Sequence, residues 1–176
     1  MHSVETGARL RYDLSLKHAY PDFHPDFPYH GMNVYAYLLD AAASDTFAFV
    51  SVQLYESYSR AGAALAAGAD PAGYLQTWAA AAIDGWTVSF PGGARNVSVD
   101  ASKLVVGLSR GSGEPSLGKS PFFWPSSCQE AYAAAPVSER PRGYAFWNIP
   151  SEGGTVNGTN ATLAFAPTLN AFLGVR

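Results

Sequence analysis

The sequence of 176 residues has little cysteine, little charge and no long apolar run. Cys128 is the only cysteine, which excludes an intrachain disulfide and a metal site built on several cysteines. Charged residues make up 14% of the chain and no run of basic residues occurs, so nucleic acid is not an expected partner. No apolar run is long enough to cross a membrane, so no membrane partner is expected. The first ten residues lack the apolar core of a signal peptide, and the compartment is not indicated.

Patterns for familiar catalytic and metal sites are absent or incomplete. No Gly-x-Ser-x-Gly elbow occurs. Asp22, His24, Asp26 and His30 lie in a proline-rich segment, but their spacing matches no strong metal-ligand motif. Neither a metal nor another cofactor is therefore predicted. Cys128, close to a predicted helix start, is interpreted as an inert small residue in preference to a nucleophile.

Residues 113–120 match the Walker A nucleotide-binding pattern letter for letter. That pattern needs a strand before the loop and a helix that opens at its Gly-Lys-Ser end. Pro121 follows Ser120 at once, and Pro125 would break a helix within its first turns. The segment is therefore interpreted as a glycine-rich and serine-rich loop that matches by chance.

The most informative stretch covers residues 47–56, where apolar and polar side chains alternate. Val52 and Leu54 belong to an aliphatic face, whereas Gln53 and Tyr55 belong to a polar one. A polar row inside an otherwise apolar strand costs free energy unless partners or a ligand satisfy it. The alternation therefore predicts a strand that forms the wall of a pocket.

Strand and helix signals alternate along the rest of the chain. The predicted strands cover residues 10–16, 47–56, 104–108 and 143–149, with a strand or extended segment at 86–90. The predicted helices cover residues 32–43, 59–67 and 71–84, the last of these with Asp70 as its N-cap. Capping boxes at Ser126 and Ser127 open a further short helix that ends before Pro136, and Pro167 opens the final one. Four βα units in succession indicate a parallel sheet with right-handed crossovers. Two architectures fit this order: an open doubly wound sheet, and about half of a (β/α)₈ barrel. A complete barrel takes roughly 250 residues.

Polar and aromatic residues stand at the predicted carboxyl ends of three strands. They are Tyr55-Glu56, Ser109-Arg110 and Trp147-Asn148. An indole face stacks on the apolar face of a pyranose, and amide and phenol groups bond its hydroxyls, so the set favours a sugar site. A barrel core in which Trp147 packs only against other side chains explains the same pattern. The residues alone leave both interpretations open.

Three segments resemble glycoside hydrolase family 18, the family of chitinases and chitinase-like lectins. Gln53-Leu54-Tyr55-Glu56, residues 104–108 and residues 143–147 resemble the sixth, seventh and eighth strands of its barrel. Residues 12–27 resemble the fifth strand and its loop, so the resemblance covers about residues 10–173. It implies a single α/β domain over residues 1–176, a partial TIM-barrel-like fold with strands five to eight.

The resemblance also implies roles for four residues. Tyr55 would hydrogen-bond the N-acetyl group of the substrate, and Gln53 would face the same lumen. Glu56 would lie at the pocket rim, and Trp147 would form the floor of the pocket beneath the reacting sugar. The implied ligand is chitin or an N-acetylglucosamine oligosaccharide, and the family reaction is a substrate-assisted retaining hydrolysis.

The chain departs from the family at the catalytic motif, because no Asp-x-x-Asp-x-Asp-x-Glu pattern occurs in the sequence. Loss of a general acid alone costs about 10²–10⁴ in rate, so no catalytic residue is assigned and the isolated chain is expected to be inactive. A partial barrel would also have open strand edges that favour self-association. The alternatives are a non-catalytic, lectin-like carbohydrate-binding protein and an unrelated α/β enzyme with its site at the switch point of an open sheet.

Overall fold

The computed structural model describes ten strands and five α-helices within parts of the chain. The described residues are 9–10, 28–29, 32–54, 61–90, 92–109, 123–147, 155–156, 159–160 and 165–174. The helices are α1 (Val34–Ala41), α2 (Ala61–Ala66), α3 (Pro71–Asp84), α4 (Pro125–Ala134), which a 3₁₀ turn at Val137–Glu139 follows, and α5 (Phe165–Leu173). The strands are β1 (Arg9–Leu10), β2 (Pro28–Tyr29), β3 (Met32–Asn33), β4 (Val50–Gln53), β5 (Trp86–Phe90), β6 (Gly93–Val97), β7 (Leu104–Ser109), β8 (Gly143–Trp147), β9 (Thr155–Val156) and β10 (Thr159–Asn160).

The main sheet has four strands in the order β1-β4-β7-β8, and every neighbouring pair is parallel. The spatial order of the described strands therefore follows the order of the chain. The register places Gln53 beside Gly107 and Ser109 beside Trp147. This confirms a mixed α/β fold with a parallel sheet. The predicted strand at 10–16 overlaps β1 only at Leu10, and its other residues lie outside the described part of the chain.

One face of the sheet forms the hydrophobic core with the helices. On this face the central strands β4 and β7, with Leu54 directly after β4, contribute side chains that are at most 2% exposed, namely Val50, Val52, Leu54, Leu104, Val106 and Leu108. The Tyr144 hydroxyl on β8 donates a hydrogen bond to the Cys128 carbonyl oxygen on α4 at 3.2 Å. The Tyr144 ring also meets Phe172 of α5 edge to face, with centroids 6.1 Å apart. Helices α4 and α5 therefore pack on the same face as Val106, the register partner of Tyr144.

Helix α3 has the bounds that its capping residues predict. The Asp70 carboxylate accepts a hydrogen bond from the Gly73 N–H at 2.6 Å, which satisfies one of the free donors of the first turn. Pro71 occupies the first turn, where its missing N–H costs nothing. Gly85 ends the helix at φ 92°, and its N–H donates to the Ala81 carbonyl oxygen at 3.1 Å.

The starts of three other helices differ from the prediction. The capping boxes at Ser126 and Ser127 are wrong, because α4 begins at Pro125 after Trp124, which makes no side-chain capping bond. Proline supplies the φ angle of a first helical residue and needs no partner for an N–H, so it sets the start here. Helix α5 begins at Phe165, two residues before Pro167. Helix α1 begins at Val34, because the two residues before it pair with β2.

A β-hairpin precedes β7; the sequence predicted either a strand or an extended segment for its first strand and did not predict its second. Strands β5 and β6 pair antiparallel from Trp86 beside Val97 to Phe90 beside Gly93. Four of the five residues of β6 are exposed, so the strand lacks the alternation that a sequence pattern needs. The segment is a strand because its backbone pairs with β5. Within the described residues, no helix is both long and apolar enough to cross a bilayer.

Candidate functional site

The second face of the main sheet, opposite the helices, carries small and polar residues. Ser51 and Gln53 alternate with the core residues of β4. Their neighbours across the register are Val105 and Gly107 on β7, followed by Ala145 on β8. Gln53 is 8% exposed, whereas Ser51 and Val105 are half-buried and Ala145 is exposed. The polar row predicted for β4 is therefore on the side of the sheet away from α4 and α5.

Strands β4 and β7 approach closely beside Gln53. A Cβ atom on Gly107 would lie 2.9 Å from the Val52 carbonyl oxygen and 3.3 Å from the Gln53 Cα atom. Both atoms belong to the backbone, so they cannot move aside as a flexible side chain would. The Leu54 N–H donates to the Gly107 carbonyl oxygen at 2.7 Å at the same place. The absence of a side chain at Gly107 thus sets the position of Gln53 relative to β7.

Replacing Gly107 by alanine should destabilise the protein by about 1–3 kcal/mol, because β4 must shift to accommodate the added methyl group. Gly143 on β8 is a matched control, since a Cβ there meets only the Leu173 Cδ1 atom at 3.8 Å, an ordinary contact. Gly143→Ala should be neutral or stabilising by about 0.5–1 kcal/mol, through the entropy of the unfolded chain. Urea unfolding of the two variants measures the difference. Equal losses of stability would contradict the close approach of β4 and β7.

The structure places two of the four predicted site residues. Gln53 is the last residue of β4, and the backbone of Trp147 is the last of β8, in register with Ser109 at the end of β7. Three parallel strands therefore finish at one end of the sheet. Tyr55 and Glu56 lie outside the described residues, as does the side chain of Trp147. The proposed convergence of the four side chains stays a prediction.

Two other sequence patterns also fall on undescribed residues. The whole Walker A segment at 113–120 lies there, although the strand before it is present as β7. Helix α4 begins at Pro125, and Phe123 and Trp124 before it are not helical, so the described helix does not open at Lys119-Ser120. The histidine and aspartate group at 22–30 lies outside the described residues. In the described part of the chain, no group of three His, Cys, Asp or Glu residues is placed to hold a metal ion.

Cys128 lies in the first turns of α4 and is fully buried. Burial raises the pKa of its thiol from an ordinary 9.0 to about 12, because an apolar surrounding disfavours the charged thiolate. Burial likewise raises the pKa of the Tyr144 hydroxyl, with smaller contributions from Cys128 and Tyr132. The thiol is protonated and inaccessible near neutral pH, which supports its interpretation as an inert core residue.

The buried thiol predicts a loss of stability in alkaline solution. Above pH 9 the thiol ionises in the unfolded chain but stays protonated in the folded one, because its folded pKa is about 12. The unfolded state then binds fewer protons, so the free energy of unfolding falls by about 1.4 kcal/mol per pH unit as the pH rises through this window. Urea unfolding between pH 8 and pH 10.5 should show a steeper decline for the wild type than for Cys128→Ala. The same slope in both proteins would contradict the assignment.

The starts of α3 and α4 lie together, and an exposed tryptophan that the sequence did not single out lies beside this contact. The rings of Tyr74, near the start of α3, and Phe123, just before α4, stack with centroids 6.2 Å apart. Phe123 is fully buried, whereas the adjacent Trp124 is 43% exposed. The sequence contains one signal for this arrangement, Pro125, which marks Trp124 as a residue at a helix start.

No protein-family model, no curated protein and no solved structure matches this chain.

Proposed function

We propose that this chain is a chitinase-like member of glycoside hydrolase family 18 that binds N-acetylglucosamine-containing polysaccharide at the carboxyl end of its sheet. The observation that carries the proposal is the strand order β1-β4-β7-β8, parallel throughout. In a (β/α)₈ barrel, strands that are neighbours in sequence are neighbours in space. A doubly wound sheet instead reverses its order at a switch point. The described strands have no such reversal, which supports the barrel over the open-sheet enzyme.

The position of the predicted site supports the same proposal. In a barrel, the helices cover one face of the sheet and the other face lines the interior, with the site at the carboxyl ends of the strands. Gln53 is on the face opposite the helices and at the carboxyl end of β4. Its amide offers two donor hydrogens and an acceptor oxygen, which suit sugar hydroxyl and N-acetyl groups. Tyr55, Glu56 and Trp147 complete the proposed site.

The proposed activity is binding without hydrolysis. The sequence contains no Asp-x-x-Asp-x-Asp-x-Glu motif, so the chain has no assigned general acid to protonate the glycosidic oxygen. A lectin-like role follows from the same site residues. The purified chain should release no chromophore from a chromogenic chitin oligomer, and sustained turnover by pure protein would overturn this part of the proposal.

Isothermal titration with an N-acetylglucosamine tetramer tests the binding directly. A folded chain should bind the tetramer saturably, and Gln53→Met, which keeps the length of the side chain but removes its amide, should weaken binding. Ser51→Ala is the matched control, because Ser51 is on the same face of β4 but two residues farther from the carboxyl end. The mass in solution, measured first, reports whether the chain self-associates. If the folded wild type shows no saturable binding at millimolar tetramer, the proposed function is wrong.

A further inference from the structure

The chain contains more N-glycosylation triplets than chance predicts. Three of its six asparagines begin an Asn-x-Ser/Thr triplet, namely Asn96, Asn157 and Asn160. Serine and threonine supply 25 of the 176 residues, so six asparagines would produce about one such triplet by chance. The first triplet, Asn96-Val97-Ser98 at the end of β6, has its side chains in the described part of the chain. Its geometry decides whether a glycan fits there.

This triplet presents its two polar residues to solvent. Asn96 and Ser98 are exposed, whereas Val97 between them is 3% exposed and belongs to the hydrophobic core. Successive side chains of a strand point to opposite sides, so the buried valine directs its two neighbours outward. Among the described strands β6 pairs only with β5, and four of its five residues are exposed. The outer side of the hairpin therefore has space for a bulky substituent.

The end of α3 leaves room for the side-chain amide of Asn96. A Cβ atom on Gly85 would lie 2.5 Å from the Asn96 Nδ2 atom, which is closer than real Cβ atoms approach other atoms. Gly85 has no side chain, so this contact does not arise. The glycine at the helix end thus keeps the nitrogen that would carry a glycan from being crowded.

We propose that Asn96 is an N-glycosylation site whose donor is a lipid-pyrophosphate-linked oligosaccharide. The Asn96 Nδ2 atom attacks the anomeric carbon of the donor, a C–N bond forms, and the C–O bond to the pyrophosphate breaks. The amide gives up one proton, and the lipid pyrophosphate leaves with the bonding electron pair. The Ser98 hydroxyl is the part of the triplet that the transferring enzyme requires. The inference holds for the chain in the secretory pathway, where this modification takes place. It does not rest on the proposed function, because it concerns another residue and another reaction.

Secretion of the full chain from a eukaryotic host, behind a cleavable leader, tests the site. Peptide-N-glycosidase leaves an aspartate at each asparagine that carried a glycan, so peptide mass spectrometry reports the modified fraction at position 96. Most of the wild type should be modified there. Asn96→Gln and Ser98→Ala should each lose this glycan. Ser98→Thr is the matched control, because it keeps a hydroxyl and should retain the glycan.

Each outcome decides the inference. A folded, secreted wild type with an unmodified Asn96 overturns it, and a glycosylated reporter protein from the same cells shows that the host is competent. A glycan at Asn96 that persists in Ser98→Ala also overturns it, because the triplet would then not be what the enzyme recognises. Thermal unfolding of the secreted proteins shows that the compared variants are folded.

Discussion

Replacing Phe123 by alanine should lower the free energy of unfolding by about 3–5 kcal/mol, as for other large aromatic residues in protein cores. Phe123 is the largest of the fully buried side chains in the described residues. Its ring stacks on Tyr74 and so joins the start of α4 to the start of α3. Alanine would leave a cavity beside the Tyr74 ring where the starts of α3 and α4 meet. The cost grows with the volume that the surrounding side chains leave unfilled.

The adjacent Trp124 supplies the control, because it is a larger aromatic residue that remains 43% exposed. Trp124→Ala should cost less than Phe123→Ala, because a large part of the tryptophan is already in contact with water and loses no packing. Urea unfolding followed by circular dichroism measures both variants under one set of conditions. If the two substitutions cost the same, Phe123 does not link the helices as described.

Local signals predicted the elements whose boundaries depend on nearby residues. Helix α3 follows from Asp70 at its N-cap, Pro71 in its first turn and Gly85 at its end, each of which acts within one turn. The strand at β4 follows from strict alternation, and β7 from a continuous apolar run. These signals also gave the alternation of strands and helices, and hence the parallel sheet.

Signals that depend on distant residues were not readable from the sequence. Strand β6 exists because it pairs with β5, and an exposed strand with Arg95 and Asn96 has no pattern of its own. Arg95 also forms an ion pair with Asp40 of α1 at 3.3 Å, a contact between residues far apart in the chain. The start of α4 was misplaced because two serines resembled capping residues, whereas the proline before them set the boundary.

In the candidate site, too, the sequence predicted what depends on nearby residues and did not predict what depends on distant ones. Alternation along β4 was sufficient to place Gln53 on the face away from the aliphatic residues, and the structure agrees. Alternation could not distinguish the burial of Gln53 from the partial exposure of Ser51, because that depends on what lies beside each residue. Nor could it separate Phe123 from Trp124, which are neighbours in sequence with opposite burial. Tertiary packing decides such cases.

Gly85→Ala should destabilise the protein by about 2–5 kcal/mol, for two separable reasons. Gly85 ends α3 at φ 92° and ψ 165°, a backbone region that is essentially restricted to glycine. A Cβ atom there would also lie 2.5 Å from the Asn96 Nδ2 atom and 2.9 Å from the Val97 carbonyl oxygen of β6. The helix end and the hairpin are joined at this place, since the Val99 N–H donates to the Ala82 carbonyl oxygen at 3.0 Å.

Gly68→Ala separates the strain from the clash, because Gly68 has φ 91° but a Cβ atom there would meet nothing within 4 Å. It should cost only the backbone strain, about 1–2 kcal/mol. The excess cost at Gly85, measured by urea unfolding of both variants, then reports how tightly the end of α3 packs on β6. If the two substitutions cost the same, the hairpin does not pack against the helix end as described. A larger cost at Gly85 would mean that the hairpin, which no sequence pattern predicted in full, packs closely on the end of α3.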